Sequence, residues 1–193
     1  PKLSCYTVTI VDGDACTSFV QVTLGGPSAL NVNLAVNDIS CNGQTDGQVI
    51  VTANGGTPTM TYDIGAGPVA SGTFTGLTAG PYTVDVIDGN GCTASVNGTV
   101  VEPTVLTATT GTISPELFGN DGGIAVNVSG GTPNYTYAWT GTGGYTSTSA
   151  SPSNMPGGTY SVTITDAGGC TTTITGIVVP SELGIDEFGN TQF

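Results

Sequence analysis

Eleven residues running from a tyrosine to a cysteine recur three times in this chain: Tyr6 to Cys16 (YTVTIVDGDAC), Tyr82 to Cys92 (YTVDVIDGNGC) and Tyr160 to Cys170 (YSVTITDAGGC). The steps between the tyrosines are 82 − 6 = 76 and 160 − 82 = 78 residues. A fixed period of this length means one small domain per repeat, so the unit to explain is the repeat and the function is that of an array.

The second and third copies match over almost their whole length. Asp46-Gly47 matches Asp121-Gly122, Gly55-Gly56-Thr57-Pro58 matches Gly130-Gly131-Thr132-Pro133, and Tyr62 matches Tyr137, each at an offset of 75. Glu102-Pro103 and Val179-Pro180 close the two copies. These matches predict four segments: 1–27, the C-terminal part of an incomplete repeat; 28–103 and 104–180, two full repeats; and 181–193, a linker or tail.

Within a repeat, apolar residues alternate with a period of two, the signature of strands with one face in a core and one in water. Val49, Val51 and Ala53 correspond to Ile124, Val126 and Val128. Tyr82, Val84 and Val86 face one way, with Thr83 and Asp85 facing the other. Between two such strands lie Asp12-Gly13-Asp14-Ala15, Asp88-Gly89-Asn90-Gly91 and Asp166-Ala167-Gly168-Gly169, residues that supply the bonds and positive φ angles of tight hairpins. Short strands with Gly/Pro turns over about 75 residues define an all-β fold of tandem immunoglobulin-like sandwiches, with Tyr82 and Tyr160 placed as tyrosine-corner residues.

Fourteen carboxylates against a single Lys give a net charge of −13. That balance excludes the basic footprint of nucleic-acid binding and of docking on anionic lipid, and no apolar run is long enough for a membrane-spanning helix. The five cysteines are Cys5, Cys16, Cys41, Cys92 and Cys170, three of them at one repeat position. Without CxxC pairs or any His they point to disulfides formed outside the cytosol rather than to zinc.

A sandwich this small has a thin stability margin, so a cross-link matters. Cys41 precedes the first clear strand of the second repeat and Cys92 follows its hairpin, which predicts a Cys41–Cys92 disulfide worth about 4 kcal/mol. In the third repeat Pro115 and Glu116 stand in the place of Cys41, so Cys170 is expected as a buried free thiol, with pairing between chains as the alternative. Cys16 is expected to pair upstream. Its local alternative, Cys5, sits opposite Val22 if the hairpin turn holds four residues.

Catalysis by triad or Schiff base has no residues to run on, since there is no His and one Lys. The recurring acids are accounted for by turns, and no enzyme is expected. Asp12 with Asp14 and Asp88 with Asn90 put oxygen ligands two residues apart, the start of a calcium pattern. The third copy lacks the second ligand and no bidentate Glu follows, so turn chemistry is favoured and no cofactor is expected, calcium being the one candidate. Tyr135, Tyr137 and Trp139 alternate along one strand face and read as core, whereas Tyr145 in Gly-Thr-Gly-Gly-Tyr-Thr reads as an exposed aromatic able to bind a sugar.

Taken together, C-N-G-x-x-D-G (Cys41 to Gly47), G-G-T-P (Gly55 to Pro58), G-x-Y-x-V-x-V-x-D-x-x-G-C (Gly80 to Cys92) and the closing E-P resemble SprB-type repeats, found in large cell-surface adhesins of gliding bacteria. The resemblance covers residues 31–180 as two repeats and 6–27 as the end of another. It implies a structural or adhesive segment of a secreted bacterial surface protein, a stalk or filament involved in gliding motility. The implied partners are other repeats of the same protein, surface glycans or proteins, and the secretion and anchoring machinery. The tail from Leu183 to Phe193 resembles the linker into a type IX secretion sorting domain. Rival expectations are a carbohydrate-binding module of a secreted enzyme, and a filament subunit joined by strand addition, since the first segment has only two strands.

Overall fold

A computed structural model describes residues 4–181, and every element of these residues is a strand or turn apart from one short 3-10 turn at Thr142–Gly144. The described chain forms two compact units: residues 4–38 with 46–100, and residues 39–45 with 101–181.

In the first unit, β1 (Ser4–Val11) and β2 (Thr17–Leu24) make an isolated antiparallel hairpin. The second repeat follows as β3 (Asn31–Asn37), β4 (Gly47–Asn54), β5 (Thr61–Asp63), β6 (Thr73–Leu77), β7 (Gly80–Ile87) and β8 (Thr93–Val100). Its sheets are β3-β4-β6 and β5-β7-β8. Val49 and Val51 point inward from the first sheet and Val84, Val86 and Val100 from the second, all of them buried. The sheets approach closely at Gly98, where a side chain would collide with Leu34 and Val36 of β3. On the β1–β2 hairpin, the counterparts of fully buried Val84 and Val86 are Val8 and Ile10, which are 49% and 58% exposed.

The second unit repeats this plan as β9 (Thr107–Ser114), β10 (Gly122–Ser129), β11 (Thr136–Gly141), β12 (Tyr145–Ser147), β13 (Ser153–Met155), β14 (Gly158–Thr165) and β15 (Thr171–Val179). Sheet β9-β10-β13 packs on sheet β12-β11-β14-β15. One core joins them: Ile124 and Met155 from the first meet Trp139, Tyr160, Val162, Ile164, Ile177 and Val179 from the second. In the second repeat the first, second and fourth strands share one sheet and the third, fifth and sixth the other; the third repeat adds β12, so that its first, second and fifth strands face its third, fourth, sixth and seventh, the immunoglobulin-like arrangement in both. The corner tyrosines also behave as such. Tyr82 donates its hydroxyl to the carbonyl of Thr78 (2.9 Å) and Tyr160 to that of Pro156 (2.7 Å).

Three expectations are corrected. The disulfide is Cys41–Cys170, with Cα atoms 5.6 Å apart, while Cys92 is an exposed free thiol and Cys170 is not free. Sandwich topology explains this. β4 begins at Gly47 beside Leu77, the last residue of β6, and β7 begins at Gly80 opposite Val100, so the β3–β4 turn lies at the end of the sandwich away from the β7–β8 hairpin. The eight residues of β7 span about 26 Å at about 3.3 Å each, far beyond the roughly 7 Å limit for a disulfide. Residues 39–45 group instead with the unit built by the following repeat.

The hairpin turn also holds one residue more than expected. Val11 pairs with Thr17, so Cys5 lies opposite Thr23, and Ile87–Thr93 and Thr165–Thr171 repeat this register. The cysteine stays in the turn because its amide is held by the turn's aspartate, and the residue before it takes positive φ (Ala15 61°, Gly91 81°, Gly169 85°). The residues of the expected sorting linker, 183–193, lie outside the described residues.

Candidate functional site

Each full repeat builds the same carboxylate clamp from its hairpin. Asp88 Oδ1 accepts the amides of Asn90 (2.9 Å) and Cys92 (2.8 Å), and its Oδ2 reaches across to the amide of Thr57 (2.9 Å) in the Gly-Gly-Thr-Pro turn. Asp166 does the same with Cys170 (2.8 Å) and Thr132 (2.8 Å). The contact is returned by backbone bonds from Gly89 to Thr57 and from Ala167 to Thr132, both 3.1 Å. Gly56 and Gly131 have positive φ, and a side chain on either would strike the clamp carboxylate, so the doubled glycine is required there. These donors hold both aspartates below the ordinary carboxylate range, chiefly through the amides of Thr57 and Thr132 and against the opposing effect of burial.

The disulfide is the second feature. The turn 39–45 is tied to the end of the second repeat by Ile39 N–H to Val101 O (2.9 Å), Asn42 Nδ2 to Pro103 O (3.0 Å) and Gly43 N–H to Glu102 Oε2 (3.1 Å). Cys41 then bonds Cys170, and Gly168 lets the carbonyl of Ser40 approach, since a side chain there would sit 2.5 Å from it. An open cleft of about 380 Å3 lies beside the bond, lined by Cys41, Asn42, Thr104, Leu106, Cys170 and their neighbours.

The third repeat, lacking a cysteine at this turn, secures it with Glu116. Its amide donates to Pro180 O (2.8 Å), and its carboxylate accepts from the Ser181 hydroxyl (2.7 Å) and the amides of Gly119 and Asn120. The Ser181 hydroxyl is the main cause of a lowered Glu116 pKa, and the amide of Leu117 lowers that of Asp121. The sequence places Glu116 and Gly168 but does not show the bonds of the first, the close approach at the second, or the reach of Asp88 and Asp166 to the Gly-Gly-Thr-Pro turn. The available signal was the joint recurrence of Gly-Gly-Thr-Pro and the hairpin aspartate.

The calcium candidates are not brought together. Asp12 Oδ1 accepts the amides of Asp14 (3.0 Å) and Cys16 (2.9 Å), just as Asp88 accepts those of Asn90 and Cys92. Among the described residues no three His, Cys, Asp or Glu side chains are grouped to hold a metal. Tyr145 is half-buried rather than exposed, its ring edge-on to Tyr160 with centroids 5.4 Å apart. It is drawn in because β12 pairs with β11 at Gly141, whose missing side chain makes room for the Tyr160 ring. Tyr135, Tyr137 and Trp139 do face the core, and Trp139 donates its Nε1–H to Ser149 O (2.8 Å).

A second cleft, of about 480 Å3, opens in the first unit between β5 and β6 and is mostly apolar, with Ile64, Val69, Phe74 and Leu77 in its wall.

The fold and these turns define a tandem immunoglobulin-like sandwich protein. A family model for the SprB repeat matches residues 33–68 and 118–145, and the chain carries an SprB-type repeat region. Comparison with curated proteins gives no match. Among solved structures, the chain is similar to the C-terminal 282-residue fragment of intimin, solved in complex with the intimin-binding domain of the translocated intimin receptor. That similarity has 18% identity and a TM-score of 0.39, covering 81% of this chain and 64% of the fragment.

Proposed function

We propose that this chain is a segment of a secreted bacterial surface protein, in which sandwich repeats in tandem form a stalk or adhesive filament that carries binding surfaces away from the cell. The observation that carries the reading is the Cys41–Cys170 bond, which joins points 129 residues apart. Tension applied along the chain passes from β3 through this bond to β15, so the residues between the two cysteines are shielded from the pull. Such a bond also needs an oxidising compartment to form. A chain with fourteen acids and one Lys keeps neighbouring molecules apart in such a setting.

The mechanism is mechanical: strand pairing and an aspartate clamp hold each full repeat, the disulfide ties the turn 39–45 to the hairpin of the third repeat, and no step of bond chemistry is assigned. Gliding motility and type IX export belong to the same reading through the SprB resemblance. Antibody raised against residues 28–180 is expected to label intact, unpermeabilised cells that produce the protein. Labelling seen only after permeabilisation would overturn the proposal.

A further inference from the structure

The second repeat leaves open a groove that the third repeat fills with its own tryptophan. Strand register makes the two places equivalent: Tyr62 opposes Val86 as Tyr137 opposes Ile164, which sets Ile64 in the position of Trp139. Leu77 opposes Gly47 as Met155 opposes Gly122, which sets Ser71 in the position of Ser149. In the third repeat the indole of Trp139 is 1% exposed and its Nε1–H is bonded to the Ser149 carbonyl. In the second, β5 stops at Asp63, whose Oδ1 takes the amides of Gly65 (2.7 Å) and Gly67 (3.0 Å), and the smaller Ile64 leaves the cleft of about 480 Å3 walled by Val69, Phe74 and Leu77. That volume is in the range of sites that bind small groups, about 300–1,000 Å3.

We propose that this groove is a docking site for an aromatic side chain, an indole above all, borne on a basic segment of a protein partner. The apolar wall takes the ring and the Ser71 carbonyl stands where Ser149 accepts an indole N–H. The charge of the whole chain selects the flanks. No charged side chain lines the groove, and fourteen acids face a single basic residue, Lys2, in the sequence. A lysine or arginine beside the incoming aromatic suits a chain of net charge −13.

The test is a methyl-resolved NMR titration of the full chain with a capped Gly-Lys-Trp-Lys-Gly peptide. Saturable shifts are expected at the methyls of Ile64, Val69 and Leu77, with Ile124, Ile164 and Ile177 of the second unit unmoved. Ile64→Trp plants an indole in the groove from within and is expected to weaken binding at least about tenfold without lowering Tm. Val69→Glu, on the exposed rim, does the same where Ile64→Trp fails to fold. The peptide Gly-Glu-Trp-Glu-Gly is expected to bind about fivefold more weakly at low salt. The proposal is overturned by an absence of saturable shifts, by undiminished binding in both variants, or by an acidic peptide that binds as well as the basic one. Shifts of the same methyls with protein concentration alone would also overturn it, by making a second copy of the chain the occupant.

Discussion

The second and third repeats share strand order, corner tyrosine and aspartate clamp, yet they are filled differently. Tyr62 to Tyr82 is 20 residues and Tyr137 to Tyr160 is 23, so the third repeat has three more residues between its third strand and its corner. Those residues let β11 run on to Gly141, return as β12, and lay Tyr145 against Tyr160. As a result Tyr160 is 1% exposed, and burial together with the nearby Tyr145 and Glu116 raises its pKa, whereas Tyr82, which makes the same hydrogen bond, is only half-buried. The turn chemistry is therefore common to both sandwiches, and the length of one connection decides how large a core each can hold.

The two units differ most at the disulfide, which belongs to the second alone. In the chain-entropy account a closure across 129 residues stabilises by up to about 5 kcal/mol. Cys170→Ser is expected to lower the unfolding free energy of the second unit by a large part of that figure. Trp139, the sole tryptophan, gives a fluorescence signal specific to that unit. An unchanged transition on Trp139 fluorescence would remove the bond from the account of stability.

Next in size are the equivalent core positions. Trp139→Ala removes a fully buried ring and its bond to Ser149, at a cost of about 3–5 kcal/mol, while Ile64→Ala, at a half-buried site beside an open groove, costs about 1 kcal/mol. Calorimetry on both variants measures the difference directly. Equal losses would mean that the groove is closed in solution.

Which of these features can be read from the sequence follows from what each depends on. The strands and the sandwich are legible because alternation at Val49 and Val51, and at Tyr160, Val162 and Ile164, is a local property that burial on one face imposes. The Cys41 partner is not legible, because a separation of 92 − 41 = 51 residues says nothing about which end of a sandwich each cysteine occupies. Once the strand order is known, topology alone rules Cys92 out. Tyr145 is illegible for a related reason: its Gly-rich surroundings look like an exposed loop, but Gly141 is the gap that the Tyr160 ring fills. The clamp is half legible, since Asp and Gly mark the hairpin turns locally while the bond from the second carboxylate oxygen to Thr57 or Thr132 spans more than thirty residues.

That clamp sets the finest difference between folded and unfolded chain, and it is the same in both repeats. Asp88 and Asp166 have folded pKa values below the usual aspartate value of about 3.9. A depressed pKa contributes stability that is complete above the unfolded value and disappears as pH falls through the folded one, because the unfolded chain then binds the proton more readily. Melting temperature is thus expected to be flat from neutral pH down to about pH 5 and to fall below about pH 4. Asp88→Asn and Asp166→Asn each lower Tm at neutral pH and flatten the acid limb, since an amide keeps one acceptor and turns its NH2 on the donors that faced the second oxygen. If the two substitutions left the acid limb as steep as before, the protons would be binding elsewhere, with Glu116 and Asp121 of the third repeat, whose pKa values are also lowered, the next groups to replace.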